Sequence, residues 1–204
     1  KLIKGSGIDI SRFRSNKKTS SEDFIFLYIG RLLKEKGINE YIESAIQINK
    51  IYKNIKFWII GEYNKNNPST IQSDNLKKFK SVKAFKYFHH TDRIEDYISK
   101  ANCIVLPSYR EGLSRSLLEA MSMSKMVIAS NVPGCRDLIK TNKNGYLFKP
   151  NNVESLKNCL LKVINLKAKE VSDMGKASRS IVELNYSDKI INKKYIKLVK
   201  NLLF

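Results

Sequence analysis

The chain has 204 residues, of which 42% are hydrophobic and 28% are charged. This composition predicts one large folded domain with a full core and excludes a disordered or low-complexity chain. Lys and Arg number 38 against 19 Asp and Glu, and the resulting net charge of +19 predicts an anionic partner. We rank the anionic face of a membrane first, nucleotide phosphates second and nucleic acid third, because no nucleic-acid-binding motif accompanies the charge.

The sequence also argues against several kinds of site. No apolar run is long enough to cross a bilayer, and no signal-peptide core follows the N-terminus. Cys103, Cys135 and Cys159 are odd in number and widely spaced, which fits neither a disulfide framework nor a zinc site. The adjacent His89 and His90 have no third metal ligand in a recognisable pattern. We therefore expect a protein of the reducing cytoplasm, without a metal site. Because the first residue is not Met, we expect a fragment of a longer protein.

Taken in chain order, residues 1–23 are first punctuated by glycine and then polar, which predicts a linker. Apolar runs then alternate with helical patterns. The runs predict strands at residues 24–29, 57–60, 82–88, 103–106 and 126–129, and residues 144–148 predict a turn into a sixth strand. Long helical patterns include residues 71–79, 153–166, 171–184 and 189–203. This alternation predicts an α/β domain with a doubly wound, Rossmann-like parallel sheet over residues 24–166, and C-terminal helices over residues 167–204 that pack on it.

Basic residues follow the first predicted strand. Arg31 and Lys36 come after Gly30, at the carboxyl end of the strand, where open parallel sheets place their ligands. On their own, two basic loop residues are more often solvated surface charges. A bidentate guanidinium and a compact ammonium nevertheless suit the two phosphates of a nucleoside diphosphate.

The loop after the fourth predicted strand is a candidate anion site. Ser114 is the predicted N-cap of the next helix, whose first-turn N–H groups would point outward toward an anion. Glu111 precedes the helix and Glu119 lies more than a turn inside it, so one carboxylate flanks the anion on each side. The other residues of this candidate site are Gly112, Leu113, Arg115 and Ser116. By spacing alone, two glutamates eight positions apart are best explained by chance.

Several motifs nevertheless resemble those of one family. Glu111 and Glu119 resemble the E-x7-E signature of the retaining glycosyltransferases of family 4, which have the GT-B fold. The triplet Gly-Arg-Leu, which contains Arg31, and the pair Lys-Gly, which begins with Lys36, together resemble the phosphate-binding motif of that family. Residues 5–13 resemble the segment "G-x-G-V-D-x-x-x-F", through which these enzymes pass from their first domain into their second. The bacterial polysaccharide and O-antigen branch is the most similar.

The resemblance implies the C-terminal, donor-binding half of a two-domain enzyme whose N-terminal acceptor domain is absent from this chain. Such an enzyme transfers a sugar from a nucleotide-sugar, expected here to be a UDP-sugar, to a glycan or lipid-linked acceptor. The transfer retains the configuration of the sugar and needs no cofactor or metal. The enzyme would work in the cytoplasm, as a peripheral protein on the inner face of the bacterial cell membrane, and nucleic acid is not an implied partner.

The resemblance also implies roles for individual residues. Arg31 and Lys36 would bind the donor diphosphate, and Glu119 would bind the ribose hydroxyls. Glu111 would contact the donor sugar near the reacting carbon, either as a nucleophile or as a stabiliser of positive charge. The remaining implied donor contacts are Gly30, the residues from Gly112 to Ser116 and, for the base, Arg93 and Ile94. The base contacts follow less closely, because His89 replaces the glycine of the family's F-x-G motif.

Two alternatives stay open at the sequence level. A GT-B epimerase or phosphorylase acting on sugar nucleotides or phosphates would share these motifs. A basic module that binds nucleic acid or anionic lipid would share the charge and the fold. A nicotinamide dehydrogenase is disfavoured because no G-x-G-x-x-G motif appears, and a metal-held diphosphate is disfavoured because no Asp-x-Asp pair appears.

Overall fold

A computed structural model describes residue 3, residues 5–14 and residues 23–203. Within these residues the centre is a six-stranded sheet in which all neighbouring strands are parallel, in the order β3-β2-β1-β4-β5-β6. The strands are β1 (Phe24–Ile29), β2 (Ile55–Ile60), β3 (Phe85–Phe88), β4 (Cys103–Leu106), β5 (Met126–Ser130) and β6 (Gly145–Phe148). This order confirms the predicted doubly wound, Rossmann-like α/β fold.

Helices cover both faces of the sheet. They are α1 (Ile38–Ile51), α2 (Ser73–Lys80), α3 (Ile94–Lys100), α4 (Arg115–Ser122), α5 (Pro133–Arg136), α6 (Val153–Ile164), α7 (Ala168–Asn185) and α8 (Asp188–Leu203). One apolar cluster joins the sheet to α1, α2 and α6, and a second joins it to α3, α4 and α5. Along β1, Phe26 and Tyr28 belong to the first cluster, whereas Ile25 and Leu27 belong to the second. Side chains that alternate between two buried faces explain why the strands read as continuous apolar runs.

The observed bounds differ from the predicted ones in places. β3 begins at Phe85 rather than at residue 82, because the carbonyl of Val82 accepts the amide N–H of Phe85 in a turn. α2 begins at Ser73 rather than at residue 71, because the amide N–H of Ile71 donates to the carbonyl of Leu32 instead of entering the helix. Both differences arise from hydrogen bonds that local periodicity does not report.

Part of the N-terminal stretch packs against the domain. Ile8 pairs with Ser187 in an isolated parallel bridge, and Ile8 and Phe13 are buried in the second apolar cluster. The guanidinium of Arg179, in α7, donates to the carbonyl of Phe13 at 3.0 Å. Residues 8–13 of the predicted linker are therefore part of the folded domain, while residues 1, 2, 4 and 15–22 of that prediction lie outside the described residues.

The C-terminal helices also contact the domain. α7 packs on α4 and β5, and α8 packs on α7. α7 contributes Val171 to the first apolar cluster and Val182 to the second, so it packs against both clusters. No helix in the described ranges is long and apolar enough to cross a membrane.

Candidate functional site

The site lies where β1 and β4 are neighbours in the sheet. Successive strands run outward in opposite directions from this point, and open α/β sheets bind ligands at the carboxyl ends of strands there. The loop after β1, residues 30–37, meets the loop after β4, residues 107–114. Gly37 has a φ of 69°, and a Cβ added to it would lie 2.0 Å from the carbonyl oxygen of Pro107. Glycine is therefore required where the two loops touch.

An ion pair joins these two loops. Lys36 Nζ lies 2.6 Å from Glu111 Oε1, and the two side chains are 24% and 15% exposed. The amide N–H of Tyr109 donates to the carbonyl of Glu35 at 2.9 Å and fixes the loops side by side. The fold thus brings together two predicted site residues that are 75 positions apart. A phosphate that approaches Lys36 must share the ammonium with the Glu111 carboxylate.

Helix α4 begins directly after this loop. Ser114 is its N-cap, as predicted, and the Ser114 Oγ accepts a hydrogen bond from the amide of Leu117 at 3.4 Å. The amides of Arg115 and Ser116 precede the first hydrogen bond of the helix and have no partner inside it. Free first-turn amides and the positive end of the helix dipole together favour a bound anion.

The backbone of the Glu111 loop rests on α5. A Cβ added to Gly134 would lie 1.6 Å from the carbonyl oxygen of Gly112 and 2.7 Å from that of Glu111. A Cβ added to Gly112 itself would meet nothing within 4 Å, so the other side of the loop is open. The position of Glu111 therefore depends on the absence of a side chain at Gly134.

A buried hydrogen bond anchors the same loop to α1. Tyr109 Oη donates to Glu40 Oε1 at 2.5 Å, and Glu40 is only 7% exposed. Burial and the hydrogen bond to Glu40 raise the pKa of Tyr109 well above its ordinary value, so the phenol remains a donor at neutral pH. The second carboxylate oxygen of Glu40 is buried and has no hydrogen-bond partner in the described part of the chain. Tyr109 is thus the donor to the Oε1 oxygen of this carboxylate.

A cleft of ≈ 540 Å³ opens beside the loop junction. Five predicted site residues line it: Gly30, Arg31, Ile94, Arg115 and Glu119. The other predicted residues of the two loops lie outside its lining, at the adjacent junction: Lys36, Glu111, Gly112, Leu113, Ser114 and Ser116. The cleft lining also omits Arg93, whose guanidinium pairs with Asp96 at 2.9 Å on the protein surface.

Glu119 is a shielded carboxylate on the wall of the cleft. It is 12% exposed and accepts from Arg115 Nε at 3.1 Å, one helical turn away. Burial raises the pKa of Glu119 above its ordinary value, against the opposing effects of Arg115 and, more weakly, Arg12. A desolvated acceptor of this kind suits neutral donors such as a pair of hydroxyl groups.

Sequence reasoning missed nine of the fourteen residues that line the cleft. The additional lining residues that carry polar or aromatic side chains are Arg12, Phe13, Glu62, His90, Thr91 and Asp92. Glu62 follows β2, and the stretch from His90 to Asp92 follows β3, so the rule that ligands bind at the carboxyl ends of strands could have found them. Arg12 and Phe13 carried no such signal, because their segment had the composition of a linker.

Comparison with known proteins assigns these features to a family. The family described as "Glycosyl transferases group 1" matches residues 9–181. The capsular polysaccharide biosynthesis glycosyltransferase CapM of Staphylococcus aureus is 30% identical over 195 residues, covering 91% of this chain and 50% of CapM. The N,N'-diacetylbacillosaminyl-diphospho-undecaprenol alpha-1,3-N-acetylgalactosaminyltransferase of Campylobacter jejuni is 28% identical over 210 residues, covering 97% of this chain and 53% of that enzyme. The chain therefore spans about half the length of these curated relatives.

A solved structure agrees on the fold. Anabaena HepE, crystallised in complex with UDP, superimposes with a TM-score of 0.84 at 16% identity, over 96% of this chain and 56% of HepE. Identity this low is evidence of fold and not of ligand. Taken with the family match over residues 9–181, the chain belongs to the group 1 glycosyl transferases and has the Rossmann-like domain of their GT-B fold.

Proposed function

We propose that this domain binds the nucleotide-sugar donor, a UDP-sugar, of a retaining glycosyltransferase of family 4. The observation that carries the proposal is the junction of Lys36, Glu111 and the N-terminus of α4, which opens beside a cleft lined by Arg31 and Glu119. Two cationic side chains and a set of free amides are the groups that a departing diphosphate needs when no metal is present. HepE, a protein of the same fold, binds UDP.

Each residue then has a role in the transfer. Arg31, Lys36 and the first-turn amides of α4 stabilise the negative charge that develops on the diphosphate as the bond to the sugar breaks. Glu119 accepts hydrogen bonds from the ribose hydroxyls inside the cleft. Glu111 faces the donor sugar near the reacting carbon, and its ion pair with Lys36 holds the side chain in place until the donor phosphates draw the ammonium away.

We further propose that an N-terminal half, outside this chain, binds the acceptor and that the acceptor is a glycan or a lipid-linked sugar. The Campylobacter relative is named for an acceptor that carries a diphospho-undecaprenol group. The net charge of +19 then helps to dock the enzyme on the anionic inner face of the membrane, at about 1 kcal/mol for each cation near the surface. Sedimentation with liposomes tests this part, and equal binding to neutral and anionic vesicles at low salt would contradict it.

The donor site itself is tested on this chain. We expect UDP to bind with an affinity nearer millimolar than nanomolar, about −4 to −7 kcal/mol, since half of the full cleft is absent and stays wet. Calorimetry with UDP, ADP and GDP measures the preference for the base, and parallel titrations with EDTA measure any dependence on a metal. The chain alone should bind the nucleotide and transfer no sugar.

A matched pair of double variants locates the phosphates. Replacing Arg31 and Lys36 together with alanine should abolish measurable UDP binding. Replacing Lys53 and Lys83 with alanine removes the same charge from residues just before β2 and β3, at the amino ends of the strands, and should leave UDP binding unchanged. Binding that vanishes with EDTA would contradict the metal-free mechanism. Salt-sensitive binding of arbitrary DNA without nucleotide binding would favour the alternative of a basic binding module.

A further inference from the structure

One arginine outside the predicted site spans the cleft. The guanidinium of Arg12 donates to the carbonyl of Asp92 at 2.7 Å and lies 3.3 Å from Glu95 Oε2. Arg12 comes from the N-terminal segment, whereas Asp92 belongs to the loop after β3 and Glu95 to the first turn of α3. Both Arg12 and Asp92 line the cleft. A single side chain therefore joins two separate walls of the proposed donor site.

The base of this connection is well held. Asp9 Oδ1 accepts the amides of Ser11 and Arg12 at 2.8 and 3.1 Å, which fixes the turn that presents Arg12. The next residue, Phe13, is 2% exposed. Arg179 donates to three carbonyls at once, those of Ile10, Phe13 and Ser122. The segment that carries Arg12 is thus tied to α7 and to the C-terminal end of α4.

The loop that Arg12 holds has few other anchors. Within the described ranges, the other hydrogen bonds and ion pairs of residues 89–93 are to residues no more than three positions away in the chain, such as Thr91 Oγ1 with the amide of Arg93 and Asp96 with the Arg93 guanidinium. The bond from Arg12 reaches across 80 positions. Removing Arg12 would leave this wall of the cleft without a polar tie to the rest of the domain.

Arg12 lies at the nucleoside end of the cleft. Both Arg12 and Glu119, the residue proposed for the ribose, line the cleft. Burial raises the pKa of Glu119, and the charges of Arg115 and, more weakly, Arg12 oppose that rise. Of the residues proposed for the phosphates, Arg31 lines the same cleft, whereas Lys36 and the adjoining Glu111 do not. Since both contacts of the guanidinium are made to protein groups, a direct role in binding phosphate is not needed to explain its position.

We propose that Arg12 is a positioning residue for the base and ribose of the donor, acting by clamping the loop of residues 89–93 and the start of α3 to the N-terminal segment. The inference rests on the proposed function, because it assumes that this cleft receives the nucleoside. It differs from that function in its consequence. Loss of a clamp on the nucleoside wall must weaken the binding of a nucleoside monophosphate and of a nucleoside diphosphate by the same factor. Loss of a residue that binds phosphate would weaken the binding of the diphosphate more.

The experiment measures UDP and UMP affinities of this chain by calorimetry. Arg12→Ala should weaken the binding of both nucleotides by a similar factor of about five to ten, because charge-assisted hydrogen bonds at a half-exposed site are lost. Arg12→Lys, which keeps the charge and one of the two contacts, should recover part of that loss. Arg14→Ala is the matched control, because Arg14 is exposed, is two positions away and does not line the cleft. It should bind both nucleotides as the wild type does.

Hydrogen exchange of the ligand-free chain supplies a second readout that does not depend on nucleotide binding. Arg12→Ala should increase exchange at residues 89–96, with no comparable increase at the strands of the sheet. Unchanged exchange there, or affinities equal to those of Arg14→Ala, would overturn the clamp. A loss of affinity for UDP without a loss of affinity for UMP would overturn the clamp and indicate that Arg12 contacts phosphate. If the wild type binds neither nucleotide, the proposed function fails, and the exchange measurement still decides whether Arg12 holds the loop.

Discussion

Replacing Gly134 with alanine tests whether α5 sets the position of the Glu111 loop. The added Cβ would lie 1.6 Å from the carbonyl oxygen of Gly112, whereas ordinary contact begins near 3.4 Å. The groups that it meets are backbone atoms of Gly112 and Glu111, which cannot rotate away as a flexible side chain would. The loop or the helix must therefore move by more than 1 Å in order to admit one methyl group.

The size of the effect follows from this displacement. Overpacking of a well-packed interior costs about 1–3 kcal/mol, partly offset by up to about 1 kcal/mol because alanine favours a helix more than glycine does. In a domain of this size each 1 kcal/mol lowers the melting temperature by about 2–4 °C. For Gly134→Ala we therefore expect a decrease of several degrees. In an enzyme that contains both halves, a displacement of 1 Å at Glu111 should also lower turnover about 100-fold.

Thermal unfolding of Gly134→Ala beside Gly112→Ala is the assay. The two substitutions add the same methyl group to the two sides of one contact, but at Gly112 the methyl meets nothing within 4 Å. Gly112→Ala should melt at or slightly above the wild-type temperature, because alanine also restricts the unfolded chain. Equal melting temperatures for the two variants would show that the close approach between α5 and the loop does not exist in solution.

Four further substitutions test individual side chains. Because burial raises the pKa of Glu119 above 4.5, the fold disfavours its carboxylate, and Glu119→Gln should be more stable than the wild type at pH 7 by a margin that disappears below about pH 4. The same variant should bind UDP more weakly in calorimetry. Burial lowers the pKa of Lys125 from 10.5 to about 8. The free energy of unfolding of the wild type should therefore increase by about 3 kcal/mol as the pH rises from about 8 to 10.5. Urea unfolding of Lys125→Met should not show this increase. Tyr109→Phe leaves the buried Glu40 carboxylate without its donor and should cost about 1–3 kcal/mol in urea unfolding, whereas Glu40→Gln, which keeps an acceptor oxygen, should cost less. Identical stability of these last two variants would contradict that assignment.

The parts of the site that sequence predicted well are local. The apolar run Cys103–Leu106, the loop after it and the N-cap at Ser114 lie within a dozen residues, so periodicity and capping rules were sufficient to place them. The predicted start of β3 was wrong because residues 82–85 form a turn, and pairing with β2 begins only with Phe57 opposite Phe85. Apolar periodicity does not report where such a pairing begins.

The N-terminal segment shows the same limit for function. Residues 5–13 have the glycines and polar residues of a linker, and composition gave no reason to bury Ile8 and Phe13. Their burial depends on α7, more than 160 positions later, through contacts such as that of Arg179 with the Phe13 carbonyl. Arg12 reaches the cleft only because this long-range packing exists, which is why a motif-based list of site residues omits it.

Glycines connect the walls of the site through backbone contacts rather than through side-chain hydrogen bonds alone. A Cβ at Gly61 would lie 1.8 Å from the carbonyl oxygen of Gly30, at the end of the cleft proposed for the nucleoside, and one at Gly37 would lie 2.0 Å from that of Pro107, between the two loops proposed for the phosphates. Gly134 makes the equivalent contact under the Glu111 loop. Each contact joins segments that follow different strands, so the loops cannot shift independently of one another. Side chains such as Arg31, Lys36 and Glu111 are consequently presented by a rigid set of loops, the condition under which fixed charges can stabilise a departing diphosphate without first reorganising.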